Sequence, residues 1–595
     1  MYNVPMMKKQ IKILKDDVET KLLDFVRMPG RYIGAEVNQI QKDLAACDLT
    51  VALCFPDIYE VAMSNSGIQI IYHVLNSMEN VAAERVFSPW TDAEEVMRQK
   101  NLPLFSLESK ATVADFDVIA FSLGNELCYT NVLNILDLAG IPVRTANRTD
   151  DHPLIIAGGA MSNGCEPIAP FIDVFIIGEG EETSVELAKL LIELKKQNTP
   201  KAEVLKIIDK KFDWAYVPSL YSFEYDGDKI KSFSSSRKFK NAVVEDFENA
   251  PVPEKPIVPY IDTIHERICI EIMRGCPGRC RFCQASFTRR PLRFRSVEKI
   301  FDIAKKNYDA TGFDTVSLLS LSTADYPELE KLLETMFGYF KQRQVGVSLP
   351  SLRVDQQLQL LPKFVSNVRK SGLTIAVEAA PERIRKMMNK PLTNENLFAG
   401  VDAAYRSGWS KLKLYFMAGF PGETEDDIRQ IVDLSLELSN MRRKIAKRPG
   451  ELNVAISWLV PKNHTPLGWL GQKPKEYFEN AKKIILDRKR ELRANALQFK
   501  FHTIDRSVLE SAMGRGDRRL ADVIETAWRN GAKFDLWDEC FDIKIWHDAF
   551  NKHNIDLDKC AQKTYAVDEI LPWQHLGGPA TDYLLSHYED AMSLA

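Results

Sequence analysis

The sequence contains no apolar run long enough to cross a bilayer as a helix, so it gives no reason to place any part of the chain in a membrane. It shows no apolar leader after Met1-Tyr-Asn-Val-Pro, and the expected location is the reducing cytoplasm. Ten cysteines among 595 residues are too few for a disulfide scaffold. Charge of one sign is also lacking: 78 Lys and Arg against 82 Asp and Glu leave −4, and no global field draws the chain to nucleic acid. With 45% hydrophobic and 27% charged residues the balance is globular. At typical domain sizes a chain of this length makes roughly three or four domains.

What is present is one dense stretch, Arg274-Gly-Cys-Pro-Gly-Arg-Cys-Arg-Phe-Cys-Gln-Ala285. Cys276, Cys280 and Cys283 are spaced C-x3-C-x2-C, and three thiolates on one short loop can hold a soft metal centre. A structural zinc would want a fourth Cys or His close by, and none follows. Cys269 lies upstream in the apolar run 268–273, which reads as a buried strand, so it is expected to pack rather than ligate. Three ligands on a four-iron cluster would leave one iron open. A zinc knuckle and a redox thiol cluster are the other readings of the spacing.

Buried apolar runs alternating with helical periodicity mark residues 46–195 as a Rossmann-like, doubly wound parallel sheet. Its strands are expected at 50–55, 118–123, 154–159 and 173–178. Ligands of such sheets sit beyond the carboxyl ends of the strands, where Asp57, Tyr59, Ser122, Gly158, Gly159 and Gly178-Glu-Gly-Glu181 lie. Residues 1–45 read as a helical cap. Residues 196–261 form a connector with a β-hairpin about Asp226-Gly227 and a proline-rich linker. Residues 262–465 read as a partial (β/α)6 barrel of the TIM type with strands at 268–273, 314–319, 345–348, 373–378, 411–417 and 453–459. The cysteine loop follows the first strand, where barrel enzymes place their chemistry. Residues 466–595 read as mostly helical and are expected to close the open side of the barrel. Six arginines from Arg279 to Arg295 crowd the cysteine loop, as a solvated surface or as a hold for an anionic substrate.

The cysteine loop, with Phe282 before its last cysteine, resembles the signature of the radical S-adenosylmethionine (SAM) enzymes. The resemblance implies a [4Fe-4S] cluster on Cys276, Cys280 and Cys283, SAM on the open iron, and reductive cleavage of SAM to a 5′-deoxyadenosyl radical. It implies SAM contacts from Glu378 at the fourth strand end, Arg383 on the next helix, and Gly419 in Gly419-Phe-Pro-Gly-Glu-Thr424. Ser320 and Ser348, with Ser322 and Arg353, are weaker candidates, and the glycine-rich motif the family often carries after the second strand is absent.

The first half resembles the cobalamin-binding domain fused to many of these enzymes. The histidine that binds cobalt in the best-known members is replaced by Tyr59 in Asp57-Ile-Tyr-Glu-Val-Ala62. Cobalamin is expected without a histidine ligand. The implied activity is methyl transfer to an unactivated centre, with a reductant such as flavodoxin or ferredoxin as partner. RNA, a peptide and a small metabolite are open as substrate. The alternatives are a radical SAM reaction without methyl transfer, or a non-catalytic cobalamin- or SAM-sensing module.

Overall fold

The computed structural model describes residues 11–348 and 373–595. The first sheet is built from β1 (Leu49–Phe55), β2 (Val81–Phe87), β3 (Val118–Ser122), β4 (Leu154–Gly158), β5 (Val174–Ile176) and β6 (Ala215–Tyr216). Their order is β2-β1-β3-β4-β5-β6, the flavodoxin-like order, parallel except for β6. Every residue of β1 is buried, because both faces of the sheet are covered. Leu49, Val51 and Leu53 face the helices Ser66–Asn76 and Glu181–Lys196. Ala52 and Cys54 face the helix Tyr129–Leu138 and, beyond it, three helices from the far end of the chain.

β2 did not announce itself in the sequence, because Glu84 and Arg85 interrupt Val81-Ala-Ala-Glu-Arg-Val-Phe87. Both are buried all the same. Arg85 pairs with Glu36 at 2.8 Å and Glu108 at 2.6 Å. Glu84 accepts from the hydroxyls of Ser106 and Ser109 at 2.5 and 2.7 Å. Ion pairing of Arg85 and hydroxyl donors to Glu84 let charged residues occupy strand positions that periodicity assigns to apolar ones.

The hairpin joins β7 (Phe223–Asp226) to β8 (Lys229–Phe233) about Asp226-Gly227. The second half begins with β9 (Ile268–Glu271). A two-stranded clasp follows, β10 (Met273–Arg274) against β11 (Arg293–Phe294), and it brackets the cysteine loop. Then come β12 (Thr315–Leu319), β13 (Gly346–Ser348), β14 (Leu373–Glu378), β15 (Lys411–Ala418), β16 (Glu451–Trp458) and β17 (Leu497–Phe501). They form two parallel sheets, β13-β12-β9 and β14-β15-β16-β17, each backed by helices. β17 lies in the stretch read as helical. Its alternation, Leu-Gln-Phe-Lys-Phe, is that of an edge strand with one face outward.

The carboxyl-terminal region does not close the barrel as a unit. Its helices Ile504–Arg515, Leu520–Arg529 and Ile543–Lys552 pack through Leu509, Ile524 and Trp546 into the core under the first sheet. The last helix, Thr581–Ser593, lies against the cysteine loop. No described helix is long and apolar enough to cross a membrane.

Replacing Arg85 with Met leaves Glu36 and Glu108 buried without their partner. The variant is expected to lose about 3–5 kcal/mol in chemical denaturation, the cost of stranding a buried charge.

Candidate cluster and cofactor site

A cavity of about 720 Å³ opens where the carboxyl ends of β1, β3, β4 and β5 face the inner side of β9. On the first wall stand Ala120, Ser122, Gly158 and Gly159, all small. Gly159 has φ 109°, and a Cβ there would fall 2.6 Å from the Leu123 carbonyl oxygen, so a side chain is excluded twice over. On the second wall stand alternate residues, His265, Arg267, Cys269, Glu271 and Met273. Ile268, Ile270 and Ile272 point the other way, into the core. Cys269 is therefore not a packing residue as the apolar run suggested; it is half-buried on the cavity wall.

The cysteine loop is held from three sides. Within it, the Cys283 N–H donates to the Cys280 carbonyl at 3.0 Å. Arg281 donates from its backbone to the Met388 carbonyl at 2.9 Å and from its guanidinium to the Met387 carbonyl at 2.6 Å. It also reaches Asp590 of the last helix at 3.3 Å. Phe282 packs with Phe420 and Ala591. Burial pushes the Cys280 thiol up to about 11, against the pull of Lys390 and with the added push of Cys283 and Cys276. Among the described residues no three His, Cys, Asp or Glu side chains converge on a single ion. A polynuclear cluster asks for something different, since each thiolate takes its own iron. Three soft thiol donors on one anchored loop fit that group.

The other expected contacts divide. Glu378 ends β14 at a register shift with φ 70°, a conformation rarely adopted by non-glycine residues and found at functional sites. Its carboxylate accepts from Lys390 at 3.3 Å, and both groups act on Cys280, which places them by the loop. Lys390 gave no sign in the sequence, because it follows a short helix and belongs to no motif. Gly419 has φ 110° and its N–H donates to Glu423 at 2.6 Å, so the motif carboxylate shapes its own turn. Arg383 is committed elsewhere, donating to the Gly422 carbonyl at 3.1 Å and to Asp427. Ser320 lines the cavity, its hydroxyl 2.8 Å from that of Thr323, while Ser322 bonds Asp325 at 2.6 Å. Ser348 ends β13, half-buried; Arg353 lies outside the described residues.

Asp57 and Tyr59 are not in the cavity. Asp57 accepts from Ile58 N–H at 2.7 Å and from the half-buried Trp537 Nε1 at 3.0 Å, and Tyr59 donates to Glu36 at 3.0 Å; Asp57, Tyr59 and Glu36 are buried. The cavity is reached instead by Ser64 to Ile68, at the start of the next helix. Most of the arginines around the loop are not a solvated surface either, although Arg279 is exposed and lies over the Tyr583 ring. Arg293 binds Glu179, and Arg295 donates to the Glu248 and Ala250 carbonyls. His575 pairs with Glu166 at 3.1 Å, and Trp573 is buried against its own aromatic cluster.

Gly178-Glu-Gly-Glu181 does more than cap a helix. Arg274, two residues before Cys276, binds Glu179 at 3.1 Å, Glu181 at 2.6 Å and Glu271 at 2.7 Å. The turn after β5 is thereby tied to the root of the cysteine loop.

Glu423 generates a pH test. Burial raises it from 4.5 to about 7, although Tyr477 O–H and Gly419 N–H donate to it. The folded state therefore holds a proton that the unfolded state has released between those values, and stability falls as pH rises through that window. Glu423→Gln, which cannot ionise, is expected to flatten the melting temperature against pH there, removing a slope worth up to about 3 kcal/mol.

Residues 67–218 match the family described as radical SAM proteins, N-terminal, and residues 270–435 match the radical SAM superfamily. An uncharacterised protein of Methanocaldococcus jannaschii is 26% identical over 430 residues, covering 72% of this chain and 84% of that one. The ribosomal protein uS12 methylthiotransferase RimO of Clostridioides difficile is 29% identical over 190 residues, 30% of this chain and 42% of the enzyme. The solved structure of the cobalamin-dependent radical enzyme OxsB, with aqua-cobalamin and SAM, superposes with a TM-score of 0.48 at 14% identity, covering 92% of this chain and 79% of that one. By the two matched segments and the cysteine loop between β10 and β11, the chain belongs to the radical SAM superfamily, whose members use a [4Fe-4S] cluster and SAM.

Proposed function

We propose that this radical SAM enzyme holds a corrinoid in the cavity between its two sheets and transfers a methyl group to an unactivated centre of its substrate. The observation that carries the reading is the cavity itself. It runs from the strand ends of a flavodoxin-like sheet to Gly275 and Ala285, which flank the cysteines. Small residues at Ser122, Gly158 and Gly159 leave room for a bulky planar group against the backbone. OxsB is described as cobalamin-dependent, which agrees with the reading.

When bound, the cluster supplies the electron that cleaves SAM. The chain's own residues hold and shield it. Cys276, Cys280 and Cys283 are the iron ligands on this reading, Arg281 and Phe282 fix their loop, and Lys390 sets a positive charge beside Cys280. Glu378 and the turn at Gly419 are the SAM contacts. Sulfur insertion, the type of chemistry named for the methylthiotransferase relative, usually calls for a second cluster. Among the described residues the other cysteines are scattered, with Cys47, Cys54, Cys128 and Cys165 buried.

The test pairs two measurements on protein purified anaerobically with hydroxocobalamin supplied. Wild type is expected to retain stoichiometric cobalamin and to release 5′-deoxyadenosine under reduction. Cys276→Ala is expected to keep the corrinoid and lose SAM cleavage by more than about 100-fold, beyond the roughly 10- to 100-fold that loss of a partner behind a metal ligand costs. Full cleavage by that variant would sink the cluster assignment. An intact cluster without corrinoid would sink methyl transfer.

A further inference from the structure

The charged residues of the cavity do not cancel group by group. Its three carboxylates are all spoken for: Glu179, Glu181 and Glu271 bind Arg274, and Glu179 also binds Arg293 at 2.5 Å. Two guanidiniums on the same walls have no such partner. Among the described residues neither Arg267 nor Arg289 makes a side-chain hydrogen bond or ion pair, and the Nε of Arg267 is shut off from solvent with nothing to donate to. A guanidinium carries five donors, and one left unmet away from water, as the Arg267 Nε is, is costly; the rest of both side chains is half-buried against the cavity. Burial pulls Arg289 below the usual arginine range; Glu179, Glu271 and Glu181 act against that pull and Arg274 acts with it, but none of the three carboxylates bonds to it.

The two stand at different places. Arg289 follows the helix Gln284–Thr288, directly after the cysteine loop. Arg267 precedes β9, next to His265, whose N–H donates to Ser64 Oγ at 3.1 Å at the edge of the first domain. Along the β9 row the step from residue 267 to residue 273 spans roughly 20 Å at the usual rise per residue. One cation thus faces the cysteine end of the cavity and the other faces the end over the first sheet.

We propose that Arg267 and Arg289 are oxyanion-holding points of this cavity, so that what fills it carries phosphate or carboxylate groups. The proposal rests on the cavity being the ligand site. It goes beyond that reading by fixing the charge of the occupant. Planar guanidiniums suit bidentate binding of either oxyanion. The anion at Arg267 has two sources, the phosphodiester of a corrinoid's nucleotide tail or an acidic group of the substrate.

Both sources can be separated with the full chain and its reconstituted cluster. Hydroxocobalamin, cobinamide (which lacks the phosphodiester) and inorganic pyrophosphate are titrated into wild type, Arg267→Met, Arg289→Met and the two Arg→Lys variants. Circular dichroism and cluster absorbance serve as checks on folding. Loss of a charge-assisted contact predicts affinity reduced about 10-fold or more. If Arg267→Met weakens hydroxocobalamin and spares cobinamide, the anion is the corrinoid's phosphodiester. If the corrinoids are unaffected and pyrophosphate binding is lost in either Met variant and partly kept in Lys, the anion belongs to the substrate. Unchanged binding of all three probes in folded Met variants overturns the proposal. Should wild type bind no corrinoid at all, the corrinoid reading falls, and the pyrophosphate titration still decides the fate of the two arginines.

Discussion

One guanidinium sets the relation between the two halves of this molecule. Arg274 meets Glu179 and Glu181 from the turn after β5 and Glu271 from the end of β9. Taking those charges out of water is unfavourable, and only near-complete pairing offsets it. The geometry is therefore narrow: the turn, the strand end and the clasp β10–β11 must all arrive together. The cysteine loop begins at the next residue. Its position relative to the first sheet is tied by this contact. Arg293 binds Glu179 from the other strand of the clasp and closes the arrangement.

Much of this was legible in the sequence because it obeys local rules. β1, β3, β4, β5, β9 and β12 to β16 lie where apolar or alternating runs put them, and the cysteine spacing and Gly419-Phe-Pro-Gly-Glu-Thr424 are local patterns. What was not legible depends on partners far along the chain. β2 is a strand because Arg85 finds Glu36 and Glu108. Tyr59, aligned by position with a cofactor ligand, is drawn into the core because Glu36 accepts its hydroxyl. Cys269 looked like packing since its neighbours are isoleucines. The twofold alternation of a strand that is apolar on one face and lines a cavity on the other decides it otherwise.

The arginines around the cysteine loop carry a related lesson. Their density suggests a basic surface, yet most of them point inward and serve as fasteners: Arg281 to the Met387 carbonyl, Arg290 to the Ser286 carbonyl, Arg295 to Glu248. Arginine suits this use because a fork of donors satisfies several carbonyls at once. Composition reports that charge is present; only the partners tell whether it is structural or available.

The core beneath the first sheet has a consequence for how the chain comes to be folded. Leu123, Val132 and Phe171 from early in the sequence share that core with Leu509, Ile524 and Trp546 from late in it. During synthesis the sheet is complete hundreds of residues before its cover leaves the ribosome. An apolar face stays open for that interval, the condition under which nascent chains associate wrongly. Contacts of such long sequence separation also form slowly. The core under the first sheet can thus close only when the chain from Ile504 onward arrives, and a ribosome pausing in the barrel would prolong the exposed state of a domain it had long finished making.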